Sequence, residues 1–187
     1  LDNMPSEELW PEMDYSVLPE LAAYPTRMNV AAELLDKSVS DGNGDRPYLY
    51  FDDQVWSYAD TLAQANRIAN VLVEDCGMVA GERVLLRSGN HPMLIAAWFG
   101  ILKAGGIAIS TMPVLREREL TYMIDKANIQ LVICDGKLSE DIEKAKKNTG
   151  SLRQILYFGT GDTSSLESFM TEKSQEFSTV NTAADDP

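Results

Sequence analysis

Histidine and cysteine are scarce in this chain: its 187 residues include one histidine, His91, and two cysteines, Cys76 and Cys134. The cysteines lie far apart and neither belongs to a Cys-x-x-Cys pair, so these residues predict no zinc site. A Cys–His catalytic pair is formally allowed, but two buried, reduced thiols are the favoured interpretation. Because the single histidine precedes a proline, no Ser–His–Asp triad is predicted. The histidine and the two cysteines therefore predict no metal site and no catalytic group.

Basic residues are also few: 16 lysines and arginines stand against 29 acidic residues, which gives a net charge of −13 at pH 7. The acidic excess is uneven. Residues 1–23 hold six acids and no base, and residues 159–187 hold six acids and one lysine. Nucleic acids and anionic membranes are bound by basic patches. We therefore predict neither as a partner.

No apolar run reaches the about 18 residues that a membrane-spanning helix needs. The longest candidate, residues 93–102, is shorter and contains Gly100. The sequence opens without the basic segment and apolar segment of a secretory signal. We therefore expect no membrane association and a cytoplasmic location.

Composition divides the chain into three parts. Residues 1–27 contain four prolines, which block regular helix and predict an N-terminal proline-rich arm lying on a surface. Residues 28–160 predict an α/β subdomain. Residues 161–187 are acidic and polar, and we expect this segment to be weakly ordered.

The subdomain opens with a helix and a β-hairpin. Asn29 is the predicted cap of an amphipathic helix, and a polar loop then leads into strands around 48–51 and 55–57. Ser57 and Asp60 have the spacing of a capping box, which predicts the start of the next helix.

Short apolar strands then alternate with helices. The predicted strands are 83–87, 107–111, 131–134 and 153–158, with a helix between each pair. This alternation is typical of βαβ units. We therefore predict an α/β fold, a mostly parallel sheet with helices on both faces plus the β-hairpin, in which 107–111 is a central strand.

The ends of these strands hold the candidate ligand-binding residues, because α/β sheets bind ligands at the carboxyl ends of their strands. Arg116 and Arg118 open a helix just after Pro113 leaves the central strand, although solvated side chains are the commoner interpretation. The stretch 87–90 precedes a helix N-terminus, whose N–H groups can hold an anion. An ordinary loop with Asn90 as the helix cap is favoured there.

Two loops imitate ligand motifs but lack a required residue. The stretch 41–52 begins like a calcium loop, yet Arg46 stands where glycine is needed. The stretch 159–165 follows a strand but lacks the lysine of a phosphate-binding Walker loop, so a strand-to-helix turn is favoured. Taken by themselves, the residues indicate an α/β domain without a visible active site.

Four blocks of the sequence form an ordered set: Asp45-Arg46-Pro47, Trp56-Ser57-Tyr58-Ala59-Asp60, Gly81-Glu82-Arg83-Val84 and Leu102 to Pro113. Their order resembles that of adenylate-forming (AMP-binding) enzymes, which include acyl-CoA synthetases, luciferases and peptide-synthetase adenylation domains. The resemblance covers residues 28–158, and four ordered blocks are much more specific than one. The segment Leu9-Trp10-Pro11-Glu12 and the helix 29–36 are most similar to the aromatic-acid branch, the benzoate- and 2-aminobenzoate-CoA ligases.

The resemblance implies the N-terminal portion of an acid–CoA ligase. In the family, a carboxylic acid reacts with ATP to give an acyl-adenylate, and CoA then displaces AMP, with Mg²⁺ stabilising charge. The family's phosphate loop should follow an acidic segment, and here Asp185-Asp186-Pro187 are the last residues. We therefore expect the fragment alone to be inactive and to bind no cofactor tightly. The loop after the central strand approaches the CoA phosphates in family members, which makes Arg116 the one predicted ligand contact.

Two other interpretations use the strand pattern without the resemblance. The chain could be a stand-alone flavodoxin-like or receiver-like binding module, because fold does not fix function. It could also be an interaction module that self-associates through apolar surface. The acid that is activated, the oligomeric state and the origin of the truncation do not follow from the residues.

Overall fold

The structure is a computed structural model that describes residues 6–9, 11, 18–184 and 186. Most of the predicted arm, including Trp10 and Glu12 of the aromatic-branch segment, lies outside the described residues, as do Asp185 and Pro187. The α-helices in the described part are α1 (Pro19–Ala22), α2 (Tyr58–Asn70), α3 (Pro92–Lys103), α4 (Glu117–Ala127), α5 (Ser139–Lys147) and α6 (Leu166–Thr171). A mixed α- and π-helix over residues 30–43, named the N-terminal helix, lies between α1 and the first strand. Strands are β1 (Pro47–Phe51), β2 (Gln54–Ser57), β3 (Arg83–Arg87), β4 (Ile107–Thr111), β5 (Leu131–Asp135) and β6 (Gln154–Phe158).

The strands form a hairpin and a parallel sheet. β1 pairs with β2 in antiparallel register, and the other four strands are parallel in the order β4-β3-β5-β6. Each neighbouring pair along the chain is joined by a helix, as parallel strands require. The predicted α/β fold with a parallel sheet and a hairpin is confirmed.

One prediction about this sheet is wrong: β4 is an edge strand of the described sheet, and the centre is taken by β3 and β5. The reason lies in side-chain character. Residues 84–87 of β3 and 131–134 of β5 are buried throughout, whereas Ser110 of β4 is exposed. Strands that are apolar on both faces occupy the middle of a parallel sheet.

Helices cover both faces of the sheet. Side chains alternate along each strand, so Val84 and Leu86 pack toward α2 and α3, while Leu85 packs toward α4 and α5. Each face has its own buried apolar cluster. The first cluster includes Ile68 and Ile101, and the second includes Leu120, Ile124, Val132 and Ile142.

A third cluster holds the N-terminal helix, which spans residues 30–43 with two π-helical turns, Ala32–Asp36 and Val39–Asn43. Ala31 and Leu35 of this helix pack against Ala65 and Phe99. The helix extends into the stretch predicted as a polar loop, and the hydroxyls of Ser38 and Ser40 donate to the carbonyls of Leu34 and Lys37.

The predicted helix caps at Asn29 and Ser57 are confirmed. The Asn29 Oδ1 atom accepts hydrogen bonds from the N–H groups of Ala31 and Ala32, at 3.0 and 3.4 Å. Ser57 and Asp60 form the predicted capping box, and hydrogen bonds from the backbone and side chain of Ser57 lower the pKa of the Asp60 carboxyl.

The predicted cap of α3 is wrong by one residue, since His91 rather than Asn90 caps this helix. The ring Nδ1 of His91 accepts the N–H of Met93 at 3.0 Å. Pro92 occupies the first helical position, where the missing N–H costs nothing. The ring is also held between Phe51 and Phe158, with centroid distances of 4.8 and 5.3 Å.

The acidic C-terminal segment follows the helices α2 and α3. Asn66 donates to the carbonyl of Gln175 at 2.7 Å, and Asn70 donates to the carbonyl of Ser174 at 3.0 Å. The segment then pairs with residues near the start of the chain, where Met28 and Thr182 exchange two hydrogen bonds. The weak order that we expect for residues 161–187 stays a prediction.

Among the residues that the structure describes, no helix is long and apolar enough to cross a membrane.

Candidate functional site at the carboxyl edge of the sheet

The loop after β4, residues 112–116, is an exposed part of the carboxyl edge. Met112 and Val114 are 64% and 67% exposed, although both are apolar. Parallel strands place the loops after β3, β5 and β6 at the same edge. The predicted location of the ligand-binding residues is therefore one continuous surface.

A single buried arginine holds this loop. Arg87, the last residue of β3, is only 1% exposed. Its Nη1 donates to the Met112 carbonyl at 3.3 Å, and its Nη2 donates to the carbonyls of Pro113 and Leu115 at 3.2 and 2.8 Å. Its Nε donates to the Leu138 carbonyl at 3.4 Å. One guanidinium thus ties the loop after β4 to the loop after β5.

No described carboxylate forms an ion pair with Arg87. A buried cation normally requires compensation by hydrogen bonds or by an opposite charge. Here four carbonyl oxygens provide that compensation, so the loop geometry and the burial of Arg87 depend on each other. The positive charge lies directly beneath the exposed loop.

Arg116 is placed at this edge, as predicted. Its backbone N–H donates to the Glu119 carboxylate at 3.1 Å, which fixes the start of α4. Its guanidinium is largely exposed to solvent, and Nη1 lies 3.1 Å from Oδ2 of Asp141 on α5. The hydrogen bond from Arg116 lowers the pKa of the Asp141 carboxyl, and the N–H of Glu117 contributes to the same shift.

The pairing with Asp141 decides what Arg116 can bind. The guanidinium of Arg116 has five N–H donors. Only one of its nitrogen atoms, Nη1, donates a hydrogen bond to Asp141. An exposed arginine with spare donors fits a phosphate. The acid beside it lowers the net attraction, so a ligand phosphate must compete with Asp141. The role of Arg116 as a ligand contact stays a prediction.

The N-terminus of α3 offers no free anion site. Pro92 has no N–H, Met93 donates to the His91 ring, and Leu94 donates to the His91 carbonyl at 3.0 Å. The ordinary loop that we favoured for residues 87–90 is therefore what the structure contains. The backbone N–H groups that a phosphate would use already donate to the ring and the carbonyl of His91.

The two cysteines are free and buried, which confirms the favoured interpretation of them. Burial raises the pKa of the Cys76 thiol to about 11 and that of the Cys134 thiol to about 12. Since the thiolate is the reactive form, neither residue is activated as a nucleophile at neutral pH. In the described ranges, no group of three or more His, Cys, Asp or Glu residues is placed to hold a metal ion.

The loop 159–165 has the strand-to-helix role that its residues favoured. Glu167 accepts the N–H of Gly159 at 2.8 Å, and the Asp162 carboxylate accepts bonds from the backbone and side chain of Ser164. Ser165 caps α6. These bonds close the loop on itself.

Two buried basic residues were missed at the level of sequence. Besides Arg87, the Lys103 side chain is fully buried and forms an ion pair with Asp36 of the N-terminal helix. A signal was available for each, because a basic residue stands inside or directly after an apolar run in Val84-Leu85-Leu86-Arg87 and in Ile101-Leu102-Lys103. Such cations are rarely buried without partners.

The family of the chain follows from comparison. A family model described as AMP-binding enzyme matches residues 35–187, and the chain belongs to this family of AMP-binding enzymes. The match excludes the flavodoxin-like and receiver-like interpretations.

Curated relatives are ligases of several kinds. The chain is 26% identical over 112 residues to a 3-hydroxybenzoate–CoA ligase of Aromatoleum sp. (strain CIB), which covers 60% of the chain and 21% of that protein. It is 28% identical over 130 residues to a medium/long-chain-fatty-acid–CoA/3-oxocholest-4-en-26-oate–CoA ligase of Mycobacterium marinum, covering 70% and 23%. The chain thus spans about a fifth of the length of these relatives.

Solved structures share the fold. The anthranilate CoA ligase AuaEII, solved in complex with anthranoyl-AMP, superposes with a TM-score of 0.81 at 21% identity, over 88% of this chain and 31% of that one. A benzoate CoA ligase from Burkholderia xenovorans LB400 superposes with a TM-score of 0.71 at 21% identity, over 86% and 31%. At these identities the likeness establishes the fold. The described residues match the N-terminal part of adenylate-forming ligases.

Proposed function

We propose that the chain is the N-terminal portion of an ATP-dependent carboxylic acid–CoA ligase. The acid's carboxylate attacks the α-phosphorus of ATP, which releases pyrophosphate and forms an acyl-adenylate. The CoA thiolate then attacks the acyl carbon and AMP leaves. When bound, Mg²⁺ supplies charge stabilisation for the phosphate groups. The observation that carries the proposal is the family match over residues 35–187.

The substrate class that we propose is an aromatic acid. Two of the curated relatives are 3-hydroxybenzoate–CoA ligases, from Aromatoleum and from Thauera aromatica. The AuaEII structure with a TM-score of 0.81 is an anthranilate CoA ligase. Relatives that act on fatty acids also match. The family match therefore supports the activation of a carboxylic acid, and the hydroxybenzoate and anthranilate ligases support an aromatic acid as the substrate.

Within this proposal, Arg116 contacts a phosphate group of CoA. The supporting observations are its exposed guanidinium, its spare donors and the Arg87-held loop that precedes it. A flexible loop would position a phosphate ligand poorly, whereas a loop tied to a buried side chain holds its shape. Displacement of Arg116 from Asp141 accompanies binding.

We also propose that residues 1–187 alone are inactive and that the protein acts in the cytoplasm. The family's Ser/Thr/Gly-rich phosphate loop with its lysine is not among these residues. Without a group that holds the β- and γ-phosphates, the adenylation step loses its charge stabilisation.

Self-association of the 187-residue chain is part of the proposal as well. Tyr50 and Val55 of the hairpin are exposed apolar side chains, at 74% and 52%. Exposed apolar residues that cluster on one element are typical of surfaces that another element covers. Sedimentation velocity over a hundredfold range of concentration should show a rising weight-average mass, and a constant monomer mass would contradict self-association.

The proposed function is tested with the coding sequence and with the protein that it specifies. The reading frame past Pro187 should encode a phosphate loop rich in serine, threonine and glycine with a lysine. That protein should form thioesters from benzoate-type acids, ATP and CoA, and should release pyrophosphate with the acid alone. A frame without the loop, or a protein that activates no carboxylic acid, would contradict the proposal.

The contact of Arg116 is tested in the same protein. Arg116→Met should raise the KM for CoA about tenfold, since it removes a charge-assisted hydrogen bond. The KM values for ATP and for the acid should be unchanged. Arg118→Met is the matched control, because Arg118 is an exposed arginine of the same helix. Equal effects of the two substitutions would show that Arg116 makes no specific contact.

A further inference from the structure

Residues 174–184, named the strap, follow α6 and run along α2 and α3 without forming a helix or a strand. The residue before the strap is fixed by charge, because Nζ of Lys173 lies 2.8 Å from carboxylate oxygens of both Glu74 and Asp75. The far end of the strap pairs with residues 26–28, at the amino end of the sheet. A segment without helix or strand depends on its neighbours to satisfy its backbone and to fix its path.

Two asparagines of α2 hold the first part of the strap by its backbone. Nδ2 of Asn66 donates to the carbonyl of Gln175 at 2.7 Å. Nδ2 of Asn70 donates to the carbonyls of Ser174 and Glu176, both at 3.0 Å. The two asparagines stand one turn apart on the same face of α2, and they are 6% and 8% exposed. One helix face thus binds three successive carbonyls of the strap.

The rest of the strap is held in the same way. Nδ2 of Asn29 donates to the carbonyl of Val180 at 3.0 Å, and the N–H of Val180 donates to the carbonyl of Lys103 at 2.8 Å. Between these contacts, Phe177 packs against the apolar cluster of α2, α3 and the sheet. Each of these hydrogen bonds involves the backbone of the strap, so together they set the path of the chain.

An asparagine is a costly residue for this purpose unless its amide is needed. A buried amide costs free energy when it is not hydrogen-bonded, and Oδ1 of Asn66 is buried without a partner among the described residues. Apolar contacts are non-directional, whereas a hydrogen bond restricts both distance and angle. The asparagines therefore provide what apolar side chains at the same positions would not, which is one defined path for the strap.

We propose, resting on the function proposed above, that Asn66 and Asn70 are positioning residues for ATP. In that function a phosphate loop follows these 187 residues, and Ala184, which donates to the Thr26 carbonyl at 3.0 Å, stands shortly before it. The strap therefore sets the point from which the loop starts, and groups that hold a reacting phosphate must be placed precisely. Within the described residues, Arg116 makes no contact with the strap, so binding of ATP and of CoA can be separated.

The first test is hydrogen exchange on the 187-residue chain carrying Asn70→Asp. This change keeps the shape of the side chain, but the carboxylate cannot donate to the two carbonyls. Exchange in peptides covering the strap should accelerate about tenfold or more. Peptides from β3 and β5 should accelerate by no more than the strap does and should stay protected, because the strap opens as a unit of its own.

Two further variants accompany this test. Asn70→Ala removes the same hydrogen bonds without adding a charge, and it should give a smaller acceleration; it also serves if Asn70→Asp does not fold. Asn181→Asp is the matched control, because Asn181 lies on the strap itself, is exposed, and makes no side-chain hydrogen bond in the part of the chain that the structure describes. It should leave the exchange of the strap unchanged.

The second test measures kinetics in the longer protein of the proposed function. In Asn70→Asp, the KM for ATP in pyrophosphate release should rise about tenfold, because the phosphate-binding groups are no longer held in place. The KM for CoA in thioester formation should stay the same. A purely structural loss would instead lower the amount of active enzyme and leave both KM values unchanged.

The positioning role is overturned if strap exchange is unchanged in Asn70→Asp, if strap and sheet exchange at one common rate, or if the KM values for ATP and CoA change equally or not at all. An unsubstituted longer protein that releases no pyrophosphate would overturn the proposed function and the positioning role with it. Hydrogen exchange on the 187-residue chain does not depend on ligase activity, so it still decides whether Asn70 holds the strap.

Discussion

The two ends of the parallel sheet are built in different ways. At the amino end, Lys103 is paired with Asp36, and Asn29 donates to the carbonyls of Leu102 and Val180 at 2.7 and 3.0 Å. Three separate stretches of chain thus meet in one packed region. At the carboxyl end, one side chain, Arg87, holds a loop whose other residues face solvent.

This difference separates stability from binding. Contacts between distant stretches at the amino end are buried, so losing one of them leaves unpaired groups in the interior. The carbonyls at the carboxyl end lie near solvent, and water can replace a lost partner. Residues 102–106, which precede β4 at the amino end, are therefore expected to govern folding, and the loop 112–116 after β4 is expected to govern ligand contact.

The largest effect is expected for Asp36→Ala at the amino end. It leaves the buried Lys103 ammonium without its carboxylate and should lower the free energy of unfolding by about 3 kcal/mol. Urea denaturation measures the change. Adding Lys103→Met should recover most of the loss, because the buried charge is then removed. Asp41→Ala, which breaks an exposed ion pair on the same helix, is the control and should not shift the midpoint measurably.

Gly105→Ala should have the next largest effect, again at the amino end. Gly105 has φ = +76°, and a Cβ there would lie 2.9 Å from Cγ1 of Val180 and 3.0 Å from the Ala80 Cβ. Backbone strain and crowding together should cost about 2 to 3 kcal/mol. Gly89→Ala, at the carboxyl end, has open space around its Cβ and should change stability by less than about 0.5 kcal/mol. Similar losses at both glycines would remove the proposed difference between the two ends.

Arg87→Met should cost less than either, about 1 to 2 kcal/mol, although Arg87 is the most buried arginine of the described chain. The carbonyls of Met112 and Pro113 can turn to water, and the methionine stem refills the apolar space. Chemical denaturation measures the loss, with Arg83→Met as the matched control on the exposed start of β3. A loss above about 3 kcal/mol would place Arg87 with the amino-end contacts and contradict the comparison.

The smallest effect on stability is expected for Arg116→Met. Its pairing with Asp141 is solvent-exposed, so the unfolding midpoint at pH 7 should not move measurably. The pKa of Asp141 should instead rise toward its ordinary value, since Arg116 is the main cause of its lowering. Because the pKa of Asp141 is lower in the folded state than in the unfolded state, its ionised carboxylate stabilises the fold at pH values above the unfolded-state pKa. That stabilisation is lost as the pH falls through the folded-state pKa.

The titration is followed by NMR of the Asp141 carboxyl carbon between pH 2 and 6. Asp162 is the internal control, because its lowered pKa comes from Ser164 and Thr160 and should not change. An unchanged Asp141 titration in Arg116→Met would mean that the ion pair is not formed in solution.

Much of the fold could be predicted from local patterns. The bounds of β3 and β4 and the caps at Asn29 and Ser57 agree with the structure, because each depends on residues that are close in sequence. The cap of α3 was misassigned because a histidine ring can accept the same N–H that an asparagine side chain would. The order of the strands in the sheet depends on which strands are buried on both faces. This cannot be predicted from one strand alone, because it depends on how buried each strand is relative to the other strands.

The candidate site was predicted less completely, for a physical reason. Arg116 can be placed at the carboxyl edge from the sequence, because it stands at the start of the helix that follows strand β4. The contacts of Arg87 join residues 25 to 51 positions apart, and its partners are backbone carbonyls that carry no residue-type signal.

Hydrogen exchange on Arg87→Met and Asp36→Ala, followed by mass spectrometry, tests the difference between the two ends most directly. In Arg87→Met, exchange should accelerate most in peptides covering residues 112–116, whereas peptides around Gly105 and residues 180–184 should accelerate by no more than the global loss of about 1 to 2 kcal/mol allows. In Asp36→Ala, exchange should accelerate across the whole sheet, because global unfolding becomes easier. Uniform acceleration in Arg87→Met, or acceleration confined to the N-terminal helix in Asp36→Ala, would contradict the account.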